Sequence, residues 1–181
     1  MHWGGFLNYR LKAMLRHAWM LSVALALAAC GGGREIVRNP TGSGVARYVT
    51  ANAPEECVPY ARAVSGIQIK GDAWTWWDQA DGVYGKGSAP RSGAVLVLGR
   101  SDRLSSGHIS VVVSVRNSRE ITVSHTNWGN DGPTRRRIYR EQSVIDVSSD
   151  NDWTAVRFWN PDTGAYGGVY ESDGFVYPTS A

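Results

Sequence analysis

The sequence predicts an α+β protein in which N-terminal helices pack on an antiparallel sheet. Helix-start signals and helical spacing are confined to residues 54–80. From Ala94 onward the chain becomes a series of β-branched or aromatic runs separated by turn residues. At 181 residues, 43% of them apolar and eight of them tryptophan, the chain has room for one domain with a real core plus tails.

The N-terminus reads as an export signal. A basic stretch precedes the apolar run AWMLSVALALAA, Ala18 to Ala29, which at 12 residues is shorter than the roughly 20 needed to span a bilayer. Its end, Leu27-Ala28-Ala29-Cys30, resembles the lipobox of bacterial lipoproteins, in which the cysteine sulfur is lipidated after cleavage. That resemblance implies a signal peptide over 1–29, a palmitate-type lipid anchor on Cys30 and, with Gly31 rather than Asp next, the outer membrane facing the periplasm. Residues 30–45, GGGREIVRNPTGSGV after the cysteine, read as a flexible tether. Arg10, Lys12 and Arg16 fall in the signal, so the remaining 16 basic residues match the 16 acidic ones. The cluster of Arg135, Arg136, Arg137 and Arg140 is then a local solvated feature, and no nucleic acid partner is expected.

Along the domain, Pro54 and the adjacent acids mark a helix start. CVPYARAVS carries helical spacing until Gly66 supplies a stop, and Pro59 sits in the first turn, where its missing N–H does no harm. Asp72 is a good N-cap for a second helix through AWTWWDQA to about Ala80. AVLVLG, HISVVVSV, EITVSHTN, SVIDVS and WTAVRFW read as strands. Residues 161–181, rich in Gly, Tyr and Ser, read as a C-terminal tail, either an ordered strap or a disordered end.

The chemistry gathers around Cys57. If Cys30 is lipidated, Cys57 is the only remaining thiol; a Cys30–Cys57 disulfide is the competing reading. Beyond the signal only two histidines remain, His108 and His125, on neighbouring strands joined by Arg116-Asn117-Ser118-Arg119. A symmetric turn there would oppose residues whose numbers sum to 235, pairing Val113 with Thr122 and His108 with Asn127. His108, His125 and Asn127 would then share a face, with the histidines diagonal neighbours about 7–8 Å apart. A thiol at a helix N-terminus faces unpaired N–H groups that favour thiolate, although Glu55 and Glu56 oppose this.

At these residues the chain resembles the CHAP domain family, the cysteine- and histidine-dependent amidohydrolases/peptidases of the papain-like superfamily. The carriers are ECVPYAR, GDAWTWWDQA, PRSGAVLVL, GHISVVVSV and REITVSHTNW, in that order, and a CHAP domain over 46–160 is implied. The resemblance implies a papain-like fold, Cys57 as nucleophile, His108 as general base, and a third, orienting group. Where the family often carries Glu-x-Asn, this chain reads His125-Thr126-Asn127, which leaves His125 and Asn127 as alternatives for that role. A histidine there predicts activity that falls as His125 protonates. Tyr60 is a candidate second oxyanion donor, and Trp128 a platform for substrate. The implied substrate is the stem peptide of peptidoglycan, cut through an acyl-enzyme by an amidase or an endopeptidase, with no metal or other cofactor. Two rivals remain: a zinc site of Cys57, His108 and His125, which no metal-ligand spacing supports, and a non-catalytic lipoprotein that binds peptidoglycan or a protein partner.

Overall fold

The computed structural model describes residues 35–38 and 44–179. The expected signal peptide, Cys30 and most of the expected tether lie outside the described residues. Among the described residues ten strands run β1 (Glu35–Arg38), β2 (Val45–Thr50), β3 (Gly85–Gly87), β4 (Val95–Leu98), β5 (His108–Asn117), β6 (Glu120–His125), β7 (Arg137–Asp146), β8 (Ala155–Asn160), β9 (Ala165–Tyr166) and β10 (Tyr170–Tyr177). The helices are α1 (Cys57–Ser65), a 3₁₀ turn (Ala73–Thr75) leading into α2 (Trp76–Gln79), and α3 (Gly132–Arg135). The two helices expected from the sequence sit where it predicts them. Gly66 ends α1 in the left-handed conformation at φ 78°, which glycine adopts without steric penalty.

The predicted fold class does not hold. Strands outweigh helices, 42% to 15%, and six of them close on themselves as an antiparallel barrel rather than forming an α+β sheet layered with helices. The order is β7–β6–β5–β4–β10–β8, and β8 pairs back to β7. The closing strand is β10, which pairs with β4 at one edge and with β8 at the other. Its sequence, YESDGFVY, lies in the Gly- and Tyr-rich C-terminal segment. Closure removes the open edges that a flat sheet would present to other chains. β1 and β2 extend the sheet beyond β7, and β1 lies within the segment expected to be a tether.

The barrel wall separates two cores. Leu96, Leu98, Val112, Ile121, Val123, Val144, Trp153, Val156, Phe158 and Phe175 fill the interior. Val95, Val97, Ile109 and Val111 face outward and are covered by Ala61 of α1, by Ala73, Trp76 and Ala80, and by Ile67 and Ile69 between the helices. β4 is therefore buried on both faces, which is why its sequence is a continuous apolar run without alternation.

Register decides where the histidines point. β5 and β6 are joined by a two-residue turn, Ser118-Arg119, with Asn117 opposite Glu120 rather than the wider symmetric loop expected. Two irregularities on β5 then shift the pairing by one residue each: Thr122 lies opposite Ser114, and Val111 opposite Ser124. Because side chains alternate with period two, a single shift would place the histidines on opposite faces. Two shifts restore the parity, and the far end of the hairpin has the pairing a symmetric turn would have produced.

Gly107, just before His108, adopts φ +68°, and a Cβ there would lie 2.6 Å from the Trp74 nitrogen and 2.7 Å from the Leu98 carbonyl oxygen. Both neighbours are backbone and have little room to yield. Gly107→Ala is expected to lower stability by about 3 kcal/mol through overlap and backbone strain. A shift of the urea midpoint corresponding to less than about 1 kcal/mol would show that the loop accommodates the methyl group.

Candidate active site

Cys57 opens α1, with Glu56 as its N-cap. Helix α1 starts here because Glu56 is extended and Pro59 supports the first turn. Among the described residues Cys57 is a free, half-buried thiol. The N–H groups of Ile109, Val58 and Cys57 itself are directed at the sulfur and favour thiolate, whereas burial and the Glu56 carboxylate oppose it. Burial is the largest influence, so the thiol pKa is raised above its ordinary value. The helix start thus does not yield the resting thiolate the sequence suggests, because three backbone donors do not compensate for removal from water.

His108, at the start of β5, immediately precedes the residue whose N–H reaches Cys57. It is buried, and its Nε2 lies 2.7 Å from Nδ1 of His125, the last residue of β6. The rings meet edge to face with centroids 5.0 Å apart. Trp128 packs on His108 at 4.6 Å, and Tyr139, Trp128 and Phe158 enclose His125 at 5.1–5.6 Å. In this aromatic box desolvation lowers both histidine pKa values: His108 falls well below the usual range, further depressed by His125, and His125 falls to about 4. Near neutrality both rings are uncharged, so the expected sensitivity to His125 protonation moves into the acid range.

The remaining predicted site residues are placed as follows. Asn127 follows β6 with φ +54°, an uncommon conformation for a residue other than glycine, and its Nδ2 donates to Glu56 Oε2 at 2.8 Å. It ties the end of β6 to the start of α1, and among the described residues it is not a partner of His108. The side chain that His108 meets is His125. Tyr60 Oη is 2.5 Å from Ser124 Oγ, and Ser124 donates to the Tyr139 carbonyl. Ser124 having spent its one proton, Tyr60 must donate to it, while Arg140 Nη1 donates to Tyr60 at 3.2 Å. The Tyr60 proton is therefore committed and not free for an oxyanion. Trp128 lines a cavity of about 450 Å³ together with Arg103, Arg135, Gln142, Phe158 and Tyr170. Cys57 and the two histidines are not among its walls.

Sequence reasoning missed Gln142. It is 1% exposed, and its Oε1 meets His125 Nε2 while its Nε2 donates to the Trp159 carbonyl at 2.6 Å. The only sequence signal is a polar residue inside a strand run, and which face it takes depends on a register shift between β6 and β7 after Val123. Both ring nitrogens of His125 are thus hydrogen-bonded, leaving no lone pair for a metal. Among the described residues no group of three or more His, Cys, Asp or Glu is placed to hold one. In the arginine cluster, Arg137 pairs with both carboxylate oxygens of Asp162 at 2.7 and 2.8 Å, and Arg135 Nε donates to the Gly129 carbonyl.

The site thus combines a half-buried thiol at a helix start, reached by the N–H of Ile109, with a neutral, hydrogen-bonded histidine pair that begins one residue before Ile109. Residues 47–127, which run from β2 past His125, match the model of the CHAP domain. Over that stretch the chain is similar to the CHAP domain, whose family comprises amidases and peptidases acting on peptidoglycan. No curated protein matches the chain.

Proposed function

We propose that the protein is a cysteine hydrolase that cuts an amide bond in the peptide part of peptidoglycan, with Cys57 as nucleophile and His108 as base. The observation that carries this reading is the engagement of His108 Nε2 by His125, which leaves Nδ1 as the ring nitrogen available to the thiol. Because the thiol is protonated at rest, His108 Nδ1 takes the Sγ proton as sulfur attacks the amide carbon. The C–S bond forms, the C=O π electrons move to oxygen, and the N–H of Cys57 donates to that oxygen. Collapse expels the amine, which takes the proton from His108. Water, deprotonated by the same nitrogen, then attacks the thioester, and the thiolate leaves and recovers the proton. His125 accepts from His108 Nε2–H throughout and stabilises the imidazolium by a hydrogen bond rather than by charge. Lipidation at Cys30 and an outer-membrane location, read from the lipobox, would place this site within reach of the wall.

The test is digestion of purified sacculi by the chain from Gly44 onward, beside its Cys57→Ala counterpart, with released products read by mass spectrometry. Products seen only with the thiol support the hydrolase and name the bond: intact stem peptides indicate an amidase, and fragments with new internal amines an endopeptidase. If neither protein releases product while both sediment with sacculi, the reading fails in favour of a binding module.

A further inference from the structure

We propose that Gln142 is a positioning residue whose amide, oriented by the Trp159 carbonyl, fixes the tautomers of both histidines and thereby leaves a lone pair on His108 Nδ1. The inference rests on the hydrolase reading for its purpose, but its geometry stands independently.

The chain of constraints starts at Trp159, whose carbonyl oxygen can only accept. The group 2.6 Å away must therefore be the Gln142 NH₂, which turns Oε1 toward His125. Oε1 carries no proton, so the proton between it and His125 Nε2 belongs to the histidine. His125 is neutral in its aromatic box, so a proton on Nε2 leaves Nδ1 bare. Across 2.7 Å that bare nitrogen must meet a donor, which places the second proton on His108 Nε2. His108 Nδ1 is then unprotonated. The opposite amide orientation would reverse every step: NH₂ against His125 Nε2, a proton on Nδ1, and a His108 ring whose Nδ1 is already protonated and cannot accept from a thiol. His108, His125, Gln142 and Trp159 are each 3% exposed or less, so every link is made within the protein, and only the Gln142 and Trp159 end of the relay borders the cavity. The links come from β5, β6, β7 and β8, four consecutive staves of the closed barrel.

The test reads tautomers directly. In the full chain, kept in detergent micelles at pH 7.5, long-range ¹H–¹⁵N correlation spectra distinguish Nδ1–H from Nε2–H rings. Both His108 and His125 are expected as Nε2–H. Gln142→Met, similar in size without the amide, should release the bias, so that His125 shows substantial Nδ1–H and turnover falls about a hundredfold with KM little changed. Gln142→Glu retains an acceptor toward His125 and should keep both rings as Nε2–H, with most of the turnover restored. A native spectrum showing His125 as Nδ1–H overturns the proposal, as does an unshifted tautomer pair in the Met variant. The native spectrum alone decides if the Met variant does not fold. These readouts hold whether or not sacculi are cut, so failure of the tautomer lock and failure of the hydrolase reading remain distinguishable.

Discussion

Replacing His108 with alanine is expected to reduce amide cleavage by about 10³- to 10⁴-fold, the upper part of what one general acid–base group contributes. The loss should be large because burial and Glu56 hold the Cys57 thiol pKa above its ordinary value, so near neutrality almost no thiolate forms without a base. The same argument predicts the shape of the residual activity. In the variant, rate should climb steadily as pH rises and thiolate forms, whereas the native enzyme should already be at its plateau. Combining His108→Ala with Cys57→Ala should be no worse than Cys57→Ala alone, since the two act as one unit. Turnover within tenfold of native at pH 7.5 would remove His108 from the mechanism.

Acid is expected to destabilise the domain from the inside. The folded pKa of His125 is lowered to about 4, against 6.5 for an unperturbed histidine. In that interval the unfolded chain binds a proton that the folded chain refuses. The stability contributed by the neutral ring is therefore complete above pH 6.5, is lost as pH falls toward 4, and levels off below. From this one residue the loss amounts to roughly 3 kcal/mol, and His108, also depressed, adds to it in the same direction. Urea midpoints measured between pH 7.5 and 4 should show the decline. His125→Gln, which does not titrate yet can accept from His108 and donate to Gln142, should flatten it. Parallel declines in the two proteins would assign the acid sensitivity to His108 or to carboxylates instead.

Much of the site was legible in the residues. A cysteine preceding helical spacing, a proline in the first turn and a terminating glycine locate α1 from local backbone chemistry alone, and two histidines beside one short turn mark a strand pair. Each is a signal between near neighbours, where propensity and steric rules act directly. The residues matching the CHAP model end at 127, so they include Cys57, His108 and His125 but not Gln142.

Long-range pairing was not legible. The expected α+β class gave way to a closed barrel because closure depends on YESDGFVY finding both β4 and β8, and nothing local in that Gly- and Tyr-containing segment names two partners. The shared face of His108 and His125 depends on two compensating shifts in β5, each invisible in composition. Gln142 becomes a site residue only because the β6–β7 register brings its amide to His125 and β8 brings the Trp159 carbonyl to that amide. Local chemistry therefore specified which groups are present and where the helices begin and end. Hydrogen bonds between strands distant in sequence chose which of those groups meet, how far the thiol is withdrawn from water, and on which ring nitrogen each proton resides.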